Sequence, residues 1–101
     1  MSELGYQLQI FQDVHRTRGW FTGIFSDRPH EISPAHAHGE VRLLVLQGSV
    51  EFTLGDEIIS AVPGYEITVP KSQSHSALAG PEGFRYAFAC PPEEARLQGL
   101  Q

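Results

Sequence analysis

Cysteine is almost missing from these 101 residues: Cys90 stands alone. One cysteine excludes an internal disulfide. A secreted domain of this size usually needs such staples, so a reducing cytoplasm is the expected compartment. Positive charge is also scarce. Seven Lys and Arg are scattered among twelve acids, for a formal net charge of −5. No basic footprint exists for nucleic acid or for an anionic membrane surface, and neither partner is expected. No apolar run approaches the roughly 20 residues of a membrane span. The start, Met1-Ser2-Glu3-Leu4-Gly5, carries neither the charged nor the apolar region of a signal peptide, so a whole small protein is expected. Charged residues are few, at 19%, beside 10 Gly and 7 Pro. That balance excludes a coiled coil or long-helix protein and favours an all-β fold rich in turns.

What is present repeats with period two. Tyr6-Gln7-Leu8-Gln9-Ile10 alternates apolar and polar, which predicts an N-terminal strand over 6–12. Trp20 to Phe25 is aromatic and β-prone. Val41 to Leu46 is nearly all apolar, as in a strand buried on both faces. Val50 to Leu54 alternates, and Gly55-Asp56 before the next β-prone run is a hairpin signal. Further short strands are expected over Glu66–Val69, His75–Ala79 and Phe84–Phe88. Glu93 to Leu100 follows Pro91-Pro92 and suits one or two helical turns. Eight or nine short strands between Gly/Pro turns describe a sandwich or small barrel. One domain over 1–101 is expected, with a barrel core of about 18–90 and a short tail over 91–101.

The chemistry lies in histidine, of which there are five. His36 and His38 sit two apart, so an extended strand points both to one face. Two imidazoles so placed can share a metal at about 2 Å. Glu40 keeps the same parity. His75 follows a Pro-ended strand and the turn Pro70-Lys71-Ser72-Gln73-Ser74. His15 and His30 have turn-like neighbours and are expected at the surface. Cys90 reads as a buried apolar thiol, with no His or Asn near it in sequence. The aromatics Trp20, Phe25, Phe52, Phe84, Tyr86 and Phe88 suit either a core or a ligand pocket.

Taken in order, the two histidine stretches resemble the motifs of the cupin superfamily. His36-Ala37-His38, with the strand from Val41 to Leu46 before Gly48, is similar to the first motif. Pro70 to His75 is similar to the second, with Ser72 in place of glycine. The resemblance spans about residues 18–90. It implies a double-stranded β-helix (jelly-roll) barrel holding a divalent transition metal: Fe, Ni, Mn, Cu or Zn. His36, His38 and His75 would be ligands. The family's glutamate does not map: four positions after His38 falls on Arg42, and Glu40 is the only nearby carboxylate. The set is therefore three histidines, with or without Glu40. A three-imidazole set would leave the ion its full +2 charge. Tyr86 and Arg42 are candidate catalytic groups, as a hydrogen-bond donor or acid and as an anion contact.

Three functions follow. The first is a metal-dependent enzyme of dioxygenase, isomerase or lyase type acting on a small organic molecule. The second is a non-catalytic small-molecule-binding or sensing module, and the third a structural metal. The resemblance also implies a homodimer, with Tyr6 to Phe11 as the candidate contact.

Overall fold

A computed structural model describes residues 2–36 and 39–100 of the chain. Along it run α1 (Glu3–Thr17), β1 (Phe21–Asp27), β2 (Ile32–His36), β3 (Val41–Leu54), β4 (Glu57–Ala61), β5 (Glu66–Val69), β6 (His75–Cys90) and α2 (Pro92–Leu97). Two long strands, β3 and β6, pair antiparallel along most of their length. Each bends, and each half recruits a different neighbour. The half of β3 from Val41 to Leu44 pairs with β5, and the half from Val50 to Leu54 pairs with β4. The late half of β6 pairs with β1 and the early half with β2. The result is two four-strand faces sharing two folded-over strands, which is a jelly-roll barrel as expected.

The bend has a local cause. Register slips between Val45 and Gln47 and again between Gly48 and Val50. Gly48 takes φ +74°, and a Cβ there would collide with the backbone oxygen of Gly83. Only glycine fits this close approach. The runs expected as separate strands before and after Gly48 are halves of one strand. The same holds for the two expected on either side of Gly80–Gly83. At the β3–β4 hairpin, Leu54 pairs with Glu57. Gly55 at φ +61° then occupies the first central position of the two-residue loop, as expected.

The N-terminal strand expected over 6–12 is instead a helix. Ser2 Oγ accepts from the Gly5 backbone N–H at 3.0 Å, closing the helix start. Tyr6, Leu8 and Ile10 alternate, but Leu4, Leu8, Phe11 and His15 also fall on one helical stripe. Of that stripe, Phe11 and His15 are buried. The longer 3.6-residue period wins over the short run of alternation.

Burial has two centres. Inside the barrel, Val41, Leu43, Val45, Phe52, Ile67, Val69 and Phe84 form the main core. On the outer face, α1 lays Phe11 over Leu44, Ala87 and Ala89, with Leu8, Trp20 and Leu46 beside them. The stretch Val41–Leu46 is apolar on both parities because one face looks into the barrel and the other is roofed by α1. The tail forms α2, whose Ala95 joins the main core.

Candidate functional site

His75 is the first residue of β6 and is 6% exposed. The turn before it is tight. Gln73 N–H donates to Pro70 O at 3.2 Å, and Gly55 N–H donates to Ser74 O at 3.0 Å. Ser72 has φ +66°, in the left-handed region that favours glycine, which is why the motif it resembles carries glycine there. The turn brings the Gln73 carbonyl to 3.1 Å from His75 Nδ1. A carbonyl only accepts, so Nδ1–H is the donor in this contact. The ring also stacks on Phe52, with centroids 5.7 Å apart and planes 11° apart. An imidazole oriented through Nδ1–H to a backbone carbonyl is the usual arrangement of a metal-binding histidine.

Opposite it across the β2–β6 ladder is His36, whose Cα is the direct partner of His75. The extended strand expected at His36 is the end of β2, which places two of the three expected ligands side by side in the backbone. His38 lies outside the described residues, as does the His36 side chain. Among the described residues, no three His, Cys, Asp or Glu side chains form a metal-holding group.

His75 lines an interior cavity of about 170 Å³ together with Asp27, Ser33, Val41, Leu43, Phe52, Ala77, Phe84, Tyr86, Phe88 and Gln98. Tyr86 stacks on Phe84 at 4.4 Å between centroids. Burial, and then the negative charges of Asp27 and Glu31, push the Tyr86 phenol up to about 12. It is therefore a neutral hydrogen-bond donor at any physiological pH. Burial, and then Glu31, also raise the Asp27 carboxyl above its ordinary value. Asp27 escaped the sequence reading, although it continues the alternation Phe21, Gly23, Phe25 along β1. The aromatic run ends at Phe25, and the eye stops there. Gln98 was likewise missed, since tail residues give no periodic signal.

Arg42 and Glu40 go elsewhere. Arg42 Nε and Nη2 both donate to Glu40 Oε2, at 3.1 and 2.8 Å. Arg42 has the opposite parity to Val41 and Leu43 and lines the clefts under α1 with Phe11, His15 and Glu66. It does not line the interior cavity with His75. Both contacts fall on one Glu40 oxygen of a partly exposed pair, so the structure pairs Glu40 with Arg42.

His15 departs from expectation. It is 5% exposed, not a surface residue. Trp20 stacks on it and Phe11 meets it edge-on. Its Nδ1 is buried without a hydrogen-bond partner among the described residues. Burial, then the charges of Arg18 and Arg42, lower its pKa from 6.5. His30 is exposed, as expected. Cys90 is buried, and burial followed by Glu94 and Glu93 pushes its thiol up to about 11. That is the signature of an unreactive thiol. No described helix is long and apolar enough to cross a membrane.

Solved structures with the same fold carry the comparison further. A cupin superfamily protein from Desulfitobacterium hafniense is 26% identical, with a TM-score of 0.64 over 71% of this chain and 66% of that one. An RmlC-like cupin from Desulfovibrio desulfuricans is 27% identical, with a TM-score of 0.61 over 72% of each chain. KdgF from Halomonas is 22% identical, with a TM-score of 0.61 over 69% of this chain and 67% of that one. No protein-family model and no curated protein sequence matches the chain.

Proposed function

We propose that this chain, which belongs by its fold to the cupin superfamily, binds a divalent transition metal inside the barrel and acts there on a small organic molecule. The observation that carries the reading is His75, buried, held by the Gln73 carbonyl through Nδ1 and cross-strand from His36. That donor fits a metal: with Nδ1–H held by the backbone carbonyl, Nε2 is the nitrogen a metal would take. His36, His38 and His75 are the proposed ligands. Iron, nickel, manganese, copper and zinc all accept imidazole. A metal so held would act as a Lewis acid towards a bound oxygen or water.

The chain's own groups supply the rest. Tyr86 stays protonated and donates a hydrogen bond to a ligand oxygen. Asp27, whose carboxyl is raised above its ordinary value by burial and then Glu31, holds a proton more readily than an ordinary aspartate and is the candidate acid–base group. Phe52, Phe84 and Phe88 exclude water and favour an apolar skeleton. At about 170 Å³, the cavity lies below the roughly 300–1,000 Å³ of a drug-sized site, so the substrate is of few heavy atoms. A small substrate suits enzymatic action of dioxygenase, isomerase or lyase type, and the cavity size is equally compatible with the alternative of a small-molecule-binding or sensing module.

The expected homodimer contact also takes a new form. On α1, Tyr6, Ile10 and Val14 fall in line and are 60%, 47% and 50% exposed. Pairing through this helical stripe replaces the strand pairing expected from the sequence. Elemental analysis of untagged wild type beside His36→Ala tests the central reading. Metal in wild type and its loss in the variant is the expected result; wild type without metal overturns it. With metal in place, Tyr86→Phe is expected to cut turnover or ligand affinity about tenfold, the worth of one hydrogen bond. Ligand-induced stabilisation without turnover would move the reading to the binding module.

A further inference from the structure

The exposed stripe of α1 carries a charge pattern as well as an apolar one. Tyr6, Ile10 and Val14 follow at four-residue spacing, so they stack along one line of the helix. Three exposed apolar side chains in line are more than scattered surface residues. Glu3 lies seven residues before Ile10, and Arg18 lies eight after it. Both are exposed. They end the same stripe, which forms the helix side of an open cleft of about 540 Å³ whose sheet side holds Arg42 and Glu66. The Arg18 guanidinium lies 4.0 Å from the centre of the Trp20 ring. Neither the Glu3 nor the Arg18 side chain has a hydrogen bond or ion pair among the described residues.

Reversed end to end, this stripe is its own complement. A two-fold axis through Ile10 sets Ile10 against Ile10 and Tyr6 against Val14 twice. At both ends it brings Glu3 within one residue's rise of Arg18. A parallel copy would set Glu3 on Glu3 and Arg18 on Arg18, a like-charge clash at each end.

We propose that a second copy of this chain covers the stripe, its α1 antiparallel to the first about Ile10, with Glu3 of each helix meeting Arg18 of the other. The inference rests on the pairing through α1 proposed above and adds its direction and the charges that set it. Each copy makes the same contacts, so assembly closes at two.

Sedimentation equilibrium of the full chain at micromolar concentration is the measurement, and wild type is expected to be a dimer. Ile10→Asp changes an exposed position beside the buried Phe11 and is expected to weaken the dimer about 100-fold, as loss of a central anchor does. Glu3→Arg and Arg18→Glu each create two like-charge pairs and are each expected to weaken it about tenfold, whereas the two combined return to within about threefold of wild type. Cysteine variants report the direction even if a charge reversal fails to fold. Ile10→Cys is expected to cross-link to its copy under mild oxidation. Glu3→Cys is not, because antiparallel helices hold that position about 21 Å from its copy. The native Cys90 is buried and does not compete. A wild-type monomer, or a dimer that Ile10→Asp leaves intact, would overturn pairing through α1 and this inference with it. A dimer lost in Ile10→Asp, in which Glu3→Cys cross-links to its copy or the double reversal stays as weak as the single ones, would overturn the antiparallel arrangement alone.

Discussion

Two histidines are buried among the described side chains, and they live under opposite rules. His75 looks into the barrel, with Nδ1 satisfied by a backbone carbonyl and its ring on Phe52. His15 lies on the outer side beneath α1, between Phe11 and Trp20, with Nδ1 unsatisfied among the described residues. A protein orients a side chain it uses and merely tolerates one it packs. The contrast is what supports proposing chemistry on the inner face of the shared sheet, while the outer face packs against α1. The parity of β3 draws the same line: Val41 and Leu43 line the cavity, whereas Arg42 and Leu44 turn to the helix.

The largest expected effect tests the packing half. Phe11 is 4% exposed and is the residue of α1 that closes on Leu44, Ala87 and Ala89. Phe11→Ala is expected to cost about 3–5 kcal/mol in urea unfolding. A cost under about 1 kcal/mol would show that α1 is an appendage, and the two-face comparison would fail. Next comes the chemical half. His75→Ala is expected to weaken metal binding at least about 100-fold, or roughly 2.7 kcal/mol, while His15→Ala leaves it unchanged. Equal losses in both variants, measured by calorimetric metal titration, would erase the distinction.

These two predictions also mark what the sequence could disclose. The barrel was legible because turn residues and alternation are local; that His36 and His75 come together was implied only by the resemblance, and the structure adds that their Cα atoms are partners across the β2–β6 ladder. Three things were not. Tyr6, Leu8 and Ile10 alternate over five residues, too short a run to separate strand from helix, and the helix cap at Ser2 was the signal that decides it. The burial of His15 follows from that helix, so one misread element moved two assignments. Arg42 was drawn towards the site by counting from His38, although strand parity sends it to the other face. The burial of Glu94 carried no signal at all. An acid in a first helical turn suits the helix dipole, and only the packing of α2 into the barrel buries it.

His15 gives a smaller and pH-dependent effect. Its folded pKa is lowered, by burial first and by Arg18 and Arg42 next. The unfolded chain therefore binds more protons between that lowered value and 6.5, and stability falls as pH drops through this window. His15→Phe removes the titration and the unsatisfied nitrogen together. It is expected to be about 1 kcal/mol more stable than wild type at pH 8, with the difference widening towards pH 5. Thermal melts across that range decide it. A constant difference would mean that His15 is as well solvated as an ordinary surface histidine, and the contrast with His75 would soften.

The smallest effect concerns how the inner histidine is held. Ser72 sits at φ +66° in the turn that delivers the Gln73 carbonyl to His75. A left-handed conformation costs a residue with a Cβ about 1–2 kcal/mol, and glycine gives back about 0.5–1 kcal/mol through its greater freedom when unfolded. Ser72→Gly is therefore expected to stabilise the protein by about 0.5 kcal/mol. Metal affinity should stay at the wild-type value, since the carbonyl and not the Ser72 side chain orients the ring. If affinity falls while stability rises, the strained turn itself positions His75. The rule that separates the two buried histidines would then include backbone strain as well as hydrogen bonding.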